Sequence, residues 1–381
     1  MAAARVKDAV AKELSGTPFA CSSLTQLSGG TANFLYRGLL SQPLPDGTTT
    51  IIVKHAENYL ASNAEFKLSA KRCLVEEFAL RAVNHMSSVS TTNEDPNGKA
   101  KAYQITAKSP RLLHFAPSTY TQVMEDLPDA VDLKTFMLSP GVAESLSREW
   151  TLSIGRTLGT WLRSFHSWVA DPTQKDVATQ FGEFKVMRDL KFSINYDGFL
   201  TMVDVYPDIL AGSRAVFEKV RELAAEELKE TQGTAVIGPI HGDFWSGNVL
   251  LPPLALNETS LPATPLLITD WELAQIGPRA LDLGQMIAEL YMLKHFKDID
   301  AGLWVIEGFA AGYQDIPEDV AFRTIIHVGV HFIFWGTTVP GWGSKEQVRE
   351  LVKLGRDLIV KAWERERAWF ESGFWGVLFR G

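Results

Sequence analysis

An aspartate and an asparagine stand five positions apart, Asp243 and Asn248, in the segment Ile240-His-Gly-Asp-Phe-Trp-Ser-Gly-Asn-Val-Leu250. That pairing suits phosphoryl transfer: one carboxylate accepts or orients the proton of an attacking hydroxyl, while a neutral oxygen ligand holds magnesium against phosphates. Asp243 is the candidate base and Asn248 a candidate metal ligand. Downstream, Ile268-Thr-Asp-Trp-Glu272 places a second carboxylate, Asp270, at the exit of an apolar strand. Magnesium prefers hard oxygen ligands and takes only one or two from protein, so Asp270 joins Asn248 in the candidate metal set. Upstream, Lys54 ends the β-branched run Thr50-Ile-Ile-Val-Lys54. An ammonium there neutralises phosphate charge when a helix carboxylate pairs with it. Glu76 is the candidate partner, and its neighbour Glu77 lies about 100° away around a helix, so only one of the two faces the strand. Ser28, Gly29 and Gly30 form a glycine turn that lets backbone approach phosphate oxygens closely. A lone His-Gly-Asp is a weak signal, but Lys54, Asp243, Asn248 and Asp270 in this order form a specific pattern.

These residues need elements to position them. An amphipathic helix is predicted over 1–19, and Leu24 to Arg37 reads as two strands around the glycine turn. A third strand ends at Lys54, and apolar spacing from Glu65 to Met86, free of proline and glycine, predicts the helix that carries Glu76. Ser87 to Gly98 has the composition of an exposed loop. Arg111 to Phe115 and Tyr120 to Met124 read as two further strands that close a small sheet. Beyond Leu127 the pattern turns helical, over 142–169, 213–231, 278–295, 317–335 and 345–370. Between these helices, Val249-Leu-Leu251 and Leu266-Leu-Ile268 read as a hairpin.

Composition narrows the function classes. The 381 residues exceed what one hydrophobic core usually supports, so two lobes are expected. A formal net charge of -8 offers little attraction to nucleic acid or anionic lipid, and neither is an expected partner. The 2 cysteines, Cys21 and Cys73, are too few for a disulfide framework and suit a reducing compartment, the cytoplasm. The N-terminus lacks the apolar run of a signal peptide, and no membrane span is expected.

Taken in order, Leu27-Ser-Gly-Gly30, Ile52-Val-Lys-His-Ala56, Val123-Met-Glu-Asp-Leu127, the His-Gly-Asp segment, Ile268-Thr-Asp-Trp-Glu272 and Gly277-Pro-Arg-Ala-Leu-Asp-Leu-Gly284 cover nearly the whole chain. Together they resemble the aminoglycoside phosphotransferase and choline kinase superfamily, and within it methylthioribose-kinase-like fungal enzymes of the 4-hydroxytryptamine kinase type. The resemblance implies an α+β, bilobal, protein-kinase-like fold, with a small antiparallel β-sheet N-lobe over 1–124 and a mainly α-helical C-lobe over 125–381. It implies an ATP- and Mg2+-dependent kinase acting on a hydroxyl of a small metabolite: an amino alcohol, hydroxyindole, aminoglycoside or thiosugar. Asp243 would be the catalytic base, Asn248 and Asp270 the Mg2+ ligands, Met124, Glu125, Asp126 and Leu127 the hinge that meets adenine, and Asp282 the residue that holds the catalytic loop. The phosphate loop is shorter than in protein kinases, and no activation segment follows Asp270-Trp-Glu, which argues against a protein substrate. The intact Lys54, Asp243, Asn248 and Asp270 argue against a non-catalytic nucleotide-binding relative.

Trp245 and Trp271 lie within the reactive segments and are candidate substrate contacts. Glu272 would pair with a substrate amine or with an arginine such as Arg279. His327 and His331 are four apart but lack a third ligand, so they read as packing residues rather than a zinc site. The apolar tail Phe374 to Phe379 docks on the helical lobe or forms a dimer contact, and monomer and dimer both remain open.

Overall fold

The structure is a computed structural model and describes residues 2–28, 31–93, 103–230, 233–234, 236–253 and 264–380. The chain forms two compact units. The first comprises Met1–Ser87, Ser109–Ala130 and Thr269–Glu272, and the second Ser88–Lys108, Val131–Ile268 and Leu273–Gly381. The α+β class expected above holds, with antiparallel strands toward the N-terminus and a mostly helical C-terminal part.

In the first unit five strands pair antiparallel in the spatial order Cys21–Gln26, Phe34–Leu40, Thr50–His55, Thr121–Glu125 and Leu112–Ala116. Strand alternation buries Ile51 and Val53 with Phe34, Tyr36 and Val123 on one face. Val6, Val10 and Leu14, spaced four apart on the helix Ala2–Leu14, cover that face. Lys54 has the opposite parity and so belongs to the other face of the strand. The helix that carries Glu76 is shorter than its periodicity predicts, running Arg72–Val83. The preceding Asn63–Lys67 pairs with Tyr59–Leu60 instead, and Phe66, which fitted the helical period, is 48% exposed. An apolar residue eight positions upstream of Leu74 mimicked about two more turns.

The second unit holds its own five-stranded sheet, ordered Val131–Asp132, Val249–Leu251, Thr264–Ile268, Tyr103–Lys108 and Val89–Asn93. The expected hairpin is present, with Val249 opposite Ile268. Its second strand also pairs in parallel with Tyr103–Lys108, which pairs antiparallel with Val89–Asn93. Part of the segment read as an exposed loop is therefore an edge strand. Ser90, Thr91 and Thr92 look like loop composition, yet threonine is also at home on a pleated surface. Residues 94–98 of that segment lie outside the described residues.

The helices of this unit start and stop where caps dictate. Arg148–Trp168 is capped by Ser147, whose hydroxyl accepts the Trp150 N–H, and its first residue comes six later than periodicity alone suggests. It packs on Ala301–Tyr313, a helix absent from the sequence reading, through interleaved glycines. A Cβ on Gly155 would meet Val305 O at 2.1 Å, and one on Gly308 would meet Leu152 O at 2.1 Å. The helix Lys345–Trp363 opens with a Ser344 and Gln347 capping box and ends before Arg365, whose φ of 59° splits the expected long helix. Glu318–Thr338 is long and apolar enough to cross a membrane, but 83% of its most apolar window is buried as a core helix. The tail Phe374–Phe379 docks on the helical unit: Trp375 stacks on Tyr291 at 5.0 Å and Phe379 packs on Phe322 at 5.0 Å.

Candidate active site

In the first unit, Thr50–His55 and Arg72–Val83 bring Lys54 and Glu76 together, with Nζ 2.7 Å from Oε2. Lys54 Nζ also donates to Asp270 Oδ1 at 2.6 Å. Glu77 points elsewhere and pairs with Arg81 one turn on. Asp270 turns the chain at a φ of 66°, in the left-handed region that aspartate tolerates better than bulky residues, and Trp271 N–H donates to Glu76 Oε1 at 3.3 Å. Gln122 Nε2 donates to Glu76 Oε2 at 3.2 Å.

Oxygens of Glu76, Asp270 and Glu272 all lie within 4.8 Å of one another. Lys54 pairs with Glu76 and Asp270, and Arg72 pairs with Glu272. Burial works against the Lys54 charge, but Asp270, Glu76 and Glu272 outweigh it and hold the ammonium well above its ordinary pKa. Burial raises Glu76, Lys54 draws it back, and Asp270 adds to the rise. Burial and then Asp270 push Glu272 up to about 7. Carboxylates crowded this way gain from a divalent cation, and Asp270, with its side chain 38% exposed, is the one open to it.

Two candidate substrate contacts are corrected here. Glu272 is spent on Arg72, with Nε 3.3 Å away, and accepts from Asn33 Nδ2 at 2.6 Å, while Arg279 donates to the His166 carbonyl instead. Trp271 is fully buried, so its indole is a packing group. Ser28 is exposed at the turn after Cys21–Gln26, and Gly29 and Gly30 lie outside the described residues. Of the hinge candidates, Met124 is buried opposite Ile52 and Glu125 accepts the Arg111 N–H at 3.1 Å. Arg37 pairs with Asp126 at 3.0 Å and donates to the Leu127 carbonyl at 3.4 Å.

In the second unit the pair Ile237–Ile240 and Gln275–Pro278 delivers the chain to His241. Asp282, in the first turn of Ala280–Lys297, accepts the N–H of His241 at 2.8 Å and of Gly242 at 2.9 Å. His166 Nε2 is 3.2 Å from the same carboxylate. Burial opposes the Asp282 charge, but its bond to His166 prevails and lowers its pKa. Gly242 has a φ of 80°, and a Cβ there would lie 2.0 Å from Leu273 O, so no other residue fits. Phe244 anchors the loop in a stack with Trp161 at 6.0 Å and Phe309 at 6.1 Å.

The loop thus fixed presents Asp243. Asn248 Nδ2 donates to Asp243 Oδ2 at 2.9 Å, so a cation bound at Asn248 would meet its carbonyl oxygen. Gln285 Nε2 donates to Asp243 Oδ1 at 2.6 Å. Lys191 Nζ is 3.7 Å from that oxygen. Sequence reasoning missed both. Gln285 follows Asp282 by three positions, one helical turn, a signal that was legible. Lys191 arrives from a separate helix, Lys185–Phe192, and nothing local marks it. Trp245 lies beside Lys134, whose Nζ sits 5.0 Å from its ring centre and 4.1 Å from that of Trp342. Lys134 also pairs with Glu289 at 3.0 Å, and His331 Nε2 meets Glu289 at 2.9 Å. His327 Nδ1 meets Tyr196 Oη at 3.0 Å. The two histidines face different partners, in keeping with packing roles.

Burial, and then the charges of Arg323 and Lys191, hold His327 well below its ordinary 6.5. The folded chain keeps it neutral while the unfolded chain protonates it, so stability present above pH 6.5 is lost as pH falls below it. Urea denaturation at pH 5 is expected to show a deficit of about 2 kcal/mol from this residue relative to pH 7.5. His327→Gln should remove that share, and an unchanged pH slope in the variant would refute the assignment.

A strand lysine salt-bridged to a helix glutamate, and a His-Gly-Asp loop pinned by a helix aspartate, define a kinase-like phosphotransferase. The chain belongs to the small-molecule kinase family that includes the phosphotransferase FrzJ of Cladobotryum sp, to which it is 33% identical over 370 residues, 96% of this chain and 94% of the relative. It is also 27% identical over 350 residues to a 4-hydroxytryptamine kinase of Psilocybe cyanescens, spanning 91% of this chain and 89% of that one. No family model matches the chain. Among solved structures, a choline/ethanolamine kinase family protein from Mesorhizobium loti aligns over 98% of this chain and 99% of its own, at 16% identity and a TM-score of 0.44.

Proposed function

We propose that this small-molecule kinase uses ATP with Mg2+ to phosphorylate a hydroxyl group on an amine-bearing metabolite, with Asp243 as the base. The observation that carries this reading is the posture of Asp243: a carboxylate on a rigid, Asp282-pinned loop, with both oxygens already oriented by amide donors. The acceptor hydroxyl gives its proton to Asp243 as its oxygen bonds to the γ-phosphorus. The bond from that phosphorus to the β,γ-bridging oxygen breaks, and ADP leaves with the electron pair. Lys54, held by Glu76, neutralises phosphate charge, and Met124 to Leu127 offer backbone groups to adenine. Asn248 and Asp270 are the residues that would offer oxygen ligands to Mg2+, which would screen the phosphate charge.

Relatives named 4-hydroxytryptamine kinases put hydroxylated aromatic amines first among acceptors. Purified enzyme with ATP and Mg2+ is to be screened against hydroxyindole amines, amino alcohols, aminoglycosides and thiosugars, with products read by mass. A phosphorylated hydroxylated amine is the expected product. Absence of any phosphorylated acceptor, with ADP release at the no-enzyme background, would overturn the reading.

A further inference from the structure

Between His241 and Asn248 the loop carries no lysine or arginine. A base that works beside transferring phosphate benefits from fixed positive charge and fixed donors. The fold supplies them from elsewhere. Lys191, only 9% exposed at the end of Lys185–Phe192, donates from Nζ to Gln285 Oε1 at 2.7 Å. The other end of that amide, Gln285 Nε2, donates to Asp243 Oδ1 at 2.6 Å, and Lys191 Nζ itself lies 3.7 Å from Oδ1.

The chemistry of the amide makes this a directed relay. Gln285 has an acceptor end and a donor end, and the amide is free to flip unless its partners choose. Lys191 has donors only, so it demands the oxygen and turns the NH2 toward Asp243. Without Lys191 the flipped amide would set its oxygen against a carboxylate oxygen. A buried ammonium is costly where nothing requires it, and a methionine would fill the same space at lower cost. By contrast, Arg188 on the same helix donates to the carbonyls of Glu227 and Glu230, a purely structural use.

We propose that Lys191 and Gln285 are positioning residues for the kinase reaction, a clamp that fixes the rotamer of Asp243 so that it meets the acceptor hydroxyl. This rests on the kinase reading above. The test is steady-state kinetics of Lys191→Met, Gln285→Met and the double variant, at saturating ATP with the best acceptor from the screen. Each single variant is expected to lose about 10–100-fold in kcat with KM for ATP within about threefold. The double variant should be about as slow as the slower single one, because both act through one oxygen. Lys191→Arg, which keeps a charged donor, should recover most of the loss and guards against a variant that simply folds poorly. A Lys191→Met kcat within about twofold of wild type, losses that multiply in the double variant, or a Lys191→Arg as slow as Lys191→Met would overturn the clamp alone. A wild-type enzyme inactive on every acceptor would instead overturn the kinase reading and the clamp with it.

Discussion

Asp243→Asn is expected to lower kcat by about 10²–10⁴-fold, the span that a positioned general base contributes, while KM for ATP stays within about threefold. The substitution keeps the shape and removes the proton acceptor. It also replaces a carboxylate oxygen by an NH2 that must face a donor, since Gln285 Nε2 and Asn248 Nδ2 address the two oxygens separately. Part of the loss will therefore be rotamer disorder at the site. The backbone should be spared, because Asp282 rather than Asp243 holds the N–H groups of His241 and Gly242. Thermal melting near the wild-type value alongside the kinetic loss would match this account. Turnover within tenfold of wild type on the preferred acceptor would remove Asp243 from the role of base.

Lys54→Met is expected to damage both stability and rate. Lys54 sits 2.7 Å from Glu76 and 2.6 Å from Asp270, and Glu76 is only 1% exposed. Removing one partner of a buried pair leaves the other charge uncompensated, which costs about 3–5 kcal/mol. The carboxylates will relieve part of that cost by binding protons, so the deficit should grow from pH 5 to pH 8. The direction follows from burial and Asp270, which already raise Glu76 with the lysine present. Adding Glu76→Gln should restore some of the lost stability, because the group left behind no longer carries charge. Catalysis should not return, since loss of one fixed phosphate-neutralising group costs about 10²–10³-fold. A Lys54→Met variant with the wild-type urea midpoint would show that the ion cluster contributes little.

Much of the site is written locally. Lys54 ends a β-branched strand, Gly242 is the residue that its φ and the nearby Leu273 carbonyl demand, and Asp243 and Asn248 share one short loop. Local chemistry of this kind survives in sequence because turn geometry and strand period act over a few residues. The choice between Glu76 and Glu77 was not local: the sequence left it open, and the face of the helix that meets the strand decided it.

Other features follow only from the folded chain. Trp271 and Glu272 sit beside a reactive residue in sequence, yet one is buried and the other is claimed by Arg72 and Asn33 from far upstream. The strand Val89–Asn93 was hidden because its pairing partner, Tyr103–Lys108, must itself be recruited by Thr264–Ile268, more than 150 residues away. Sequence by itself pointed to phosphoryl transfer and offered Lys54, Asp243, Asn248 and Asp270 as the candidate residues. Tertiary structure alone decided what surrounds those groups, Lys191 and Gln285 at Asp243 and Arg72 at Glu272, because burial and pairing of charge depend on neighbours in space that no local period encodes.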